Sequence, residues 1–225
     1  MELLERPRTV REFQKMFQHI YHKTNKQHYT DSDLIRVLME EISLVMESAR
    51  KDRRKELLRQ LARTFSWFNA VASRFDCDLQ EILWYKYPAV CPYCLLEKDC
   101  ICGTEHPKIP NKEEALRRLR RDRRGHEPEI LHDHQLLHAK LYGWQNDRIL
   151  LIQTAAHLAE EAGEMSKEFR HKNIDQAKHE LADIASWIFA LATRLEINLE
   201  DAVWAIFPYE CEICKEESCR CEVVP

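Results

Sequence analysis

Glu160-Glu161-Ala162-Gly163-Glu164, followed twenty residues on by Glu180-Leu181-Ala182-Asp183, is the stretch on which the reading of this chain turns. On a helix, positions i and i+3 share a face. Glu161 and Glu164 therefore form one acidic pair, and Glu180 and Asp183 another. Arg170-His171-Lys172-Asn173 lies between them and reads as a helix–helix turn. If the two helices pack antiparallel, four carboxylates meet. Such a cluster repels itself unless a cation sits in it, and hard oxygen ligands suit Mg²⁺ or Mn²⁺. Asp183 is the only charge between Leu181 and Thr193, where an unpaired charge would be costly.

Working outward, the eight prolines leave two long stretches without one, residues 8–87 and 129–207. Proline is excluded from helix interiors, so this spacing predicts two helical blocks. Only four glycines in 225 residues argue against a turn-rich β architecture. The net charge of −4 gives no general pull toward nucleic acid or membrane surfaces. The N-terminal residues lack a signal-peptide pattern, and no apolar stretch of about 20 residues is present, so a cytoplasmic protein with no membrane partner is expected.

The two blocks repeat at an offset of 120 residues. Leu38 and Glu41 match Leu158 and Glu161; Ser66-Trp67 matches Ser186-Trp187; Trp84, Pro88, Cys91 and Cys94 match Trp204, Pro208, Cys211 and Cys214. One offset held over more than fifty residues predicts an internal duplication. In the first block, Phe13, Met16, Phe17, Ile20 and Tyr21 form a helical stripe. Asp31 is the expected N-cap of a second helix, a third runs from about residue 55 to 75, and Asp78 caps a short fourth. In the second block, helices are expected over about 130–143, 147–170, 174–195 and 199–206, the last capped by Asn198. The fold class is thus all-α: two tandem four-helix units over residues 8–102 and 131–221, paired as an internal pseudo-dimer. Residues 103–130 form the linker, whose arginines between Arg117 and Arg124 read as a solvated short helix.

Each unit ends in four cysteines: Cys91, Cys94, Cys100 and Cys102, then Cys211, Cys214, Cys219 and Cys221. Four thiolates in so short a span match a closed tetrahedral site, and structural Zn²⁺, stapling the end of each bundle, is the expected ion at both, ahead of an iron–sulfur cluster. A nucleic-acid role for these knuckles is disfavoured, because Glu210, Glu212, Glu216 and Glu217 make the second one acidic. Cys77 reads as a core residue.

The second unit resembles the MazG-like, all-α nucleoside triphosphate pyrophosphatases. The resemblance rests on Glu160–Glu164, on Glu180–Asp183 and on Leu195-Glu196-Ile197-Asn198-Leu199-Glu200-Asp201-Ala202-Val203. It covers most of residues 136–206 well and residues 13–88 as a decayed copy; the cysteine clusters lie outside the family pattern. It implies Mg²⁺-dependent cleavage between the α and β phosphates of a nucleoside triphosphate, releasing the monophosphate and pyrophosphate. Glu161, Glu164, Glu180 and Asp183 would ligate the metal, and Glu160 or Glu161 would take a proton from the attacking water. Trp187 would stack on the base, with Trp144 and His138 as further pocket residues. The family often carries a lysine after the fourth helix. Ile206 stands there in the second unit but Lys86 in the first, so a composite site with Lys86 on the phosphates is expected; Arg170 and Lys172 are alternative phosphate contacts.

The first unit departs from the pattern: Glu41 remains, but Leu44, Gln60 and Arg63 replace the other three acids. Its site is expected to be dead, with Arg63 pairing with Glu41. The alternative to an enzyme is a non-catalytic, zinc-stapled scaffold that binds a nucleotide or a partner.

Overall fold

The computed structural model describes residues 5–105 and 107–222. Among these residues there are nine α-helices and no strand: α1 Val10–His28, α2 Asp31–Arg50, α3 Arg54–Arg74, α4 Leu79–Lys86, α5 Lys112–Asp122, α6 Leu131–Asn146, α7 Leu151–Arg170, α8 Ile174–Arg194 and α9 Leu199–Ile206. No helix of the described residues is long and apolar enough to cross a membrane.

Local chemistry sets the helix ends. Thr9 and Glu12 form a reciprocal capping box on α1, and Asp78 caps α4 through Glu81 N. The start of α2 differs from expectation. Thr30, not Asp31, is the N-cap, because its hydroxyl accepts from Asp33 N while the Asp33 carboxylate accepts from Thr30 N. Asp31 instead accepts a hydrogen bond from Arg74 at 2.8 Å. Asn198 caps α9 as expected. Left-handed turn residues recur in step with the sequence repeat: Asp52 and Lys172, Asp76 and Glu196, Ala89 and Tyr209, Leu95 and Lys215.

Helices α2 and α3 pair closely, as do α7 and α8. Across the two sets α2 meets α7 and α3 meets α8; α4 packs on α8, and α9 packs on α3. One apolar core runs through both sets, and Phe75 stacks on Phe169 at 3.6 Å. The same side chains brace α1 and α6. The Gln14 amide reaches Cys77 O and Leu79 N; that of Gln135 reaches Ile197 O and Leu199 N.

The cysteine knuckles cross over, whereas the sequence suggested that each would close its own bundle. The first docks on α6: Cys100 N donates to Leu141 O at 2.8 Å, and Gln145 donates to Cys100 O. The second docks on α1: Cys219 N donates to Ile20 O at 2.7 Å, and Thr24 Oγ1 donates to Cys219 O at 2.7 Å. Each knuckle thus satisfies its backbone on the opposite set's first helix. No repeat visible in sequence specifies which helix a tail will reach.

His134 and His138 are buried on α6, where α1 carries Phe13 and Phe17 in the matching interior places. Burial pushes their imidazoles down, His134 to about 3 and His138 to about 4. An unfolded histidine titrates near 6.5. Between about pH 6.5 and 4 the unfolded chain therefore binds protons that the folded chain excludes, so stability falls as pH drops through that window. The His138→Phe variant is expected to lose about 2 kcal/mol less stability than wild type between pH 7 and 5. Urea unfolding at both pH values tests this, and parallel losses would count against it.

Candidate active site

The acidic residues lie where α7 and α8 run side by side. Glu161, Glu164 and Glu180 each place a carboxylate oxygen within 4.8 Å of the others. Helical spacing puts Glu161 and Glu164 on one face of α7, and Glu180 faces them from the first half of α8. Burial and the charge of Asp183 hold the Glu161 carboxyl up at about 7, despite a 3.3 Å hydrogen bond from Trp187 Nε1. Burial also raises the Glu180 carboxyl, which accepts from the Gln176 amide. Acids raised by desolvation and mutual repulsion form a site that a divalent cation would relieve, and three convergent carboxylates suit Mg²⁺ or Mn²⁺.

Asp183 stands outside this trio. It points to the first helical set, where Lys86 Nζ and the Tyr87 hydroxyl both donate to it. The Lys86 and Asp183 side chains are only 8% and 12% exposed, so this is a buried ion pair. Lys86 also donates to His179 O at 3.2 Å. The packing of α4 on α8 brings the nearest cation to Asp183 rather than to the glutamates. Glu160 is exposed and faces His157 at 3.0 Å, apart from the other acids. His157 in turn stacks on Trp187 at 4.6 Å.

Beside the acids opens a cleft of ≈ 250 Å³. Glu161, Asp183 and Trp187 form one wall. Tyr93, Cys102 and Gly103 of the first knuckle form the other, and Tyr87 and Tyr142 also line it. Sequence reasoning found Trp187 but missed the three tyrosines. Tyr87 follows Lys86 directly and replaces Phe207, and Tyr93 sits inside Cys91-Pro92-Tyr93-Cys94, so both had a faint signal.

Other expected contacts lie outside the cleft lining. His138 is fully buried among Tyr87, Phe189 and His134 O, which gives it a core role. Trp144 is exposed under the Arg148 guanidinium at 3.6 Å. Arg170 and Lys172 are exposed at the turn after α7, Lys172 in a left-handed conformation. Close packing does not explain Gly163, since a Cβ there would meet nothing within 4 Å.

The cysteines form two compact groups, Cys91, Cys94, Cys100 and Cys102, and Cys211, Cys214, Cys219 and Cys221. Cys91 and Cys102 sulfurs lie 3.8 Å apart, Cys94 and Cys100 3.7 Å, Cys211 and Cys221 3.9 Å. A tetrahedral ion with metal–sulfur bonds of about 2.3 Å has edges of about 3.8 Å. Each group therefore fits a single ion, and a polynuclear cluster would hold its thiolates further apart.

The equivalent place in the first set is filled. Tyr21, Arg63, Trp67, Phe207 and Ile213 surround a cavity of only ≈ 20 Å³. Arg63 pairs with Glu41 at 2.7 Å and lies 3.7 Å from Glu212 of the second knuckle, which Arg59 also holds. A guanidinium thus occupies the place matched to Asp183. Glu41 is buried, and desolvation raises its carboxyl although Arg63 opposes this. Removing the cation should strand that charge. Arg63→Ala is expected to lower stability by about 3–5 kcal/mol, with part recovered by adding Glu41→Gln. Chemical denaturation of the single and double variants is the check; an unchanged midpoint for Arg63→Ala would exclude a structural role for the pair.

Residues 151–207, which carry the acidic helices and α9, match the family model of the MazG nucleotide pyrophosphohydrolase domain. No curated protein and no solved structure matches the chain. The matched segment and the all-helical fold are consistent with the MazG-like superfamily.

Proposed function

We propose that the chain is a Mg²⁺- or Mn²⁺-dependent nucleoside triphosphate pyrophosphohydrolase with one working site, formed by the second helical set and completed by the first. The observation that carries this reading is the convergence of Glu161, Glu164 and Glu180 beside Lys86 and an open cleft. Glu161, Glu164 and Glu180 would hold the metal, and Asp183 would join them once Lys86 turns to substrate. The bound ion would neutralise the triphosphate, polarise the α-phosphorus and acidify water.

The chain's own groups do the rest. Water oxygen attacks the α-phosphorus while the bond from that phosphorus to the α–β bridging oxygen breaks, and pyrophosphate leaves. Glu161, which lines the cleft, accepts the proton of the attacking water. Glu160 faces solvent and leaves that role to its neighbour. Lys86 meets the negative charge of the β and γ phosphates. Trp187, fixed by His157 and Glu161, offers a ring to the base.

The reciprocal packing of α4 on α8 and α9 on α3, with matched turns and braces, supports an internal pseudo-dimer built of units 8–102 and 131–221. Structural Zn²⁺ in both Cys₄ groups would lock the knuckles. Free thiols kept as metal ligands suit the reducing cytoplasm. The filled cleft around Arg63 favours a purely structural role for the first unit's own site.

Pyrophosphate release from a panel of NTPs and dNTPs with Mg²⁺ or Mn²⁺ tests the activity. Wild type is expected to turn over at least one of them, with Glu164→Gln and Glu161→Gln each slower by about 100-fold or more. Inert wild type across the panel, or full activity in both variants, would overturn the reading. Elemental analysis of the purified protein should find two zinc ions per chain, and stripping them with a chelator should lower the melting temperature. Retained stability after complete removal would contradict a structural role for the ions.

A further inference from the structure

The first knuckle does more than close a fold end: it forms one wall of the cleft beside the acids. Tyr93 lies between the ligand candidates Cys91 and Cys94, so any metal held there fixes its backbone on both sides. The residue is 51% exposed and lines the cleft together with Trp187. Lys112 of α5 sits 5.3 Å from the ring centroid, on the side of the linker residues 107–110.

The second knuckle supplies an internal comparison. Ile213 stands where Tyr93 stands, between Cys211 and Cys214, and lines the filled cavity around Arg63. The knuckle position is thus aromatic at the open cleft and aliphatic at the closed one. Its half-exposed position contributes little to either knuckle's interior, so packing gives no reason for the difference.

We infer that Tyr93 is a nucleobase-stacking residue, presented by the metal-binding knuckle of the first unit to the cleft of the second. The ligand class is a planar heterocycle attached to a polyphosphate, with Tyr93 and Trp187 as its two aromatic walls. Stacking on aromatic side chains is tolerant of base identity and substantial in strength. The inference rests on the nucleotide reading above and adds a base contact that lies outside the matched family segment.

Calorimetric titration of the zinc-loaded, full-length protein in Mg²⁺ tests it. The probes are the α,β-methylene analogues of the four common dNTPs and inorganic tripolyphosphate, which has no base. Tyr93→Ala is expected to weaken the tightest-bound analogue by about 5- to 150-fold, with tripolyphosphate unaffected and zinc content unchanged. Tyr93→Phe should bind like wild type, and Ile213→Ala should change neither affinity. Unchanged analogue affinity in Tyr93→Ala, or an equal loss for tripolyphosphate, overturns the stacking role while the proposed activity stands. If wild type binds neither probe, the stacking role and the proposed activity fall together.

Discussion

The buried ion pair between Lys86 and Asp183 ties the two halves of this molecule together. It joins the end of α4 in one helical set to the middle of α8 in the other. Both side chains are almost wholly removed from water, so losing either partner would leave an uncompensated charge. Tyr87 adds its hydroxyl to the same carboxylate. The acidic site is consequently a property of the pair of units. The second set holds the glutamates, but the first delivers the nearest cation, the tyrosine beneath it and the knuckle that walls the cleft.

The two halves solve one electrostatic problem in opposite ways. In the second set the glutamates remain together, their carboxyls raised by burial and repulsion, and a metal ion is the natural neutraliser. In the first set Arg63 provides a covalently attached cation for Glu41 and the second knuckle's Glu212, and the cavity shrinks to ≈ 20 Å³. The exchange at the opposite interface fits this division. Ile206 and Phe207 stand where Lys86 and Tyr87 stand, so Arg63 meets no lysine there. The charges match within each site: Asp183 meets Lys86, whereas Arg63 meets Glu41 and Glu212.

Periodicity made the helices legible, since amphipathic stripes, proline spacing and the polar caps at Asp78 and Asn198 are local signals. The spacing of Glu161, Glu164 and Glu180 on neighbouring helix faces was equally local. What the sequence left hidden depends on contacts between elements distant in the chain. It suggested that four acids would converge, but Asp183 turns to Lys86, a choice made by how α4 lies on α8. It placed the cysteine knuckles on their own bundles, whereas backbone groups on α6 and α1 capture them crosswise. His138, polar in sequence, proves to be a core ring with Nε2 unpartnered. Tyr93 acquires its place only because the knuckle crosses over.

The composite nature of the site is tested most directly by one substitution on the half that lacks the acidic motif. The measurement is kcat/KM of Lys86→Met for pyrophosphate release, on the nucleotide that wild type turns over best. A charged hydrogen bond to substrate phosphate is worth about 1.5–3 kcal/mol, so a fall of about 10- to 150-fold is predicted, with helix content unchanged. A variant as active as wild type would contradict the account, since the second unit would then be working without the first unit's cation.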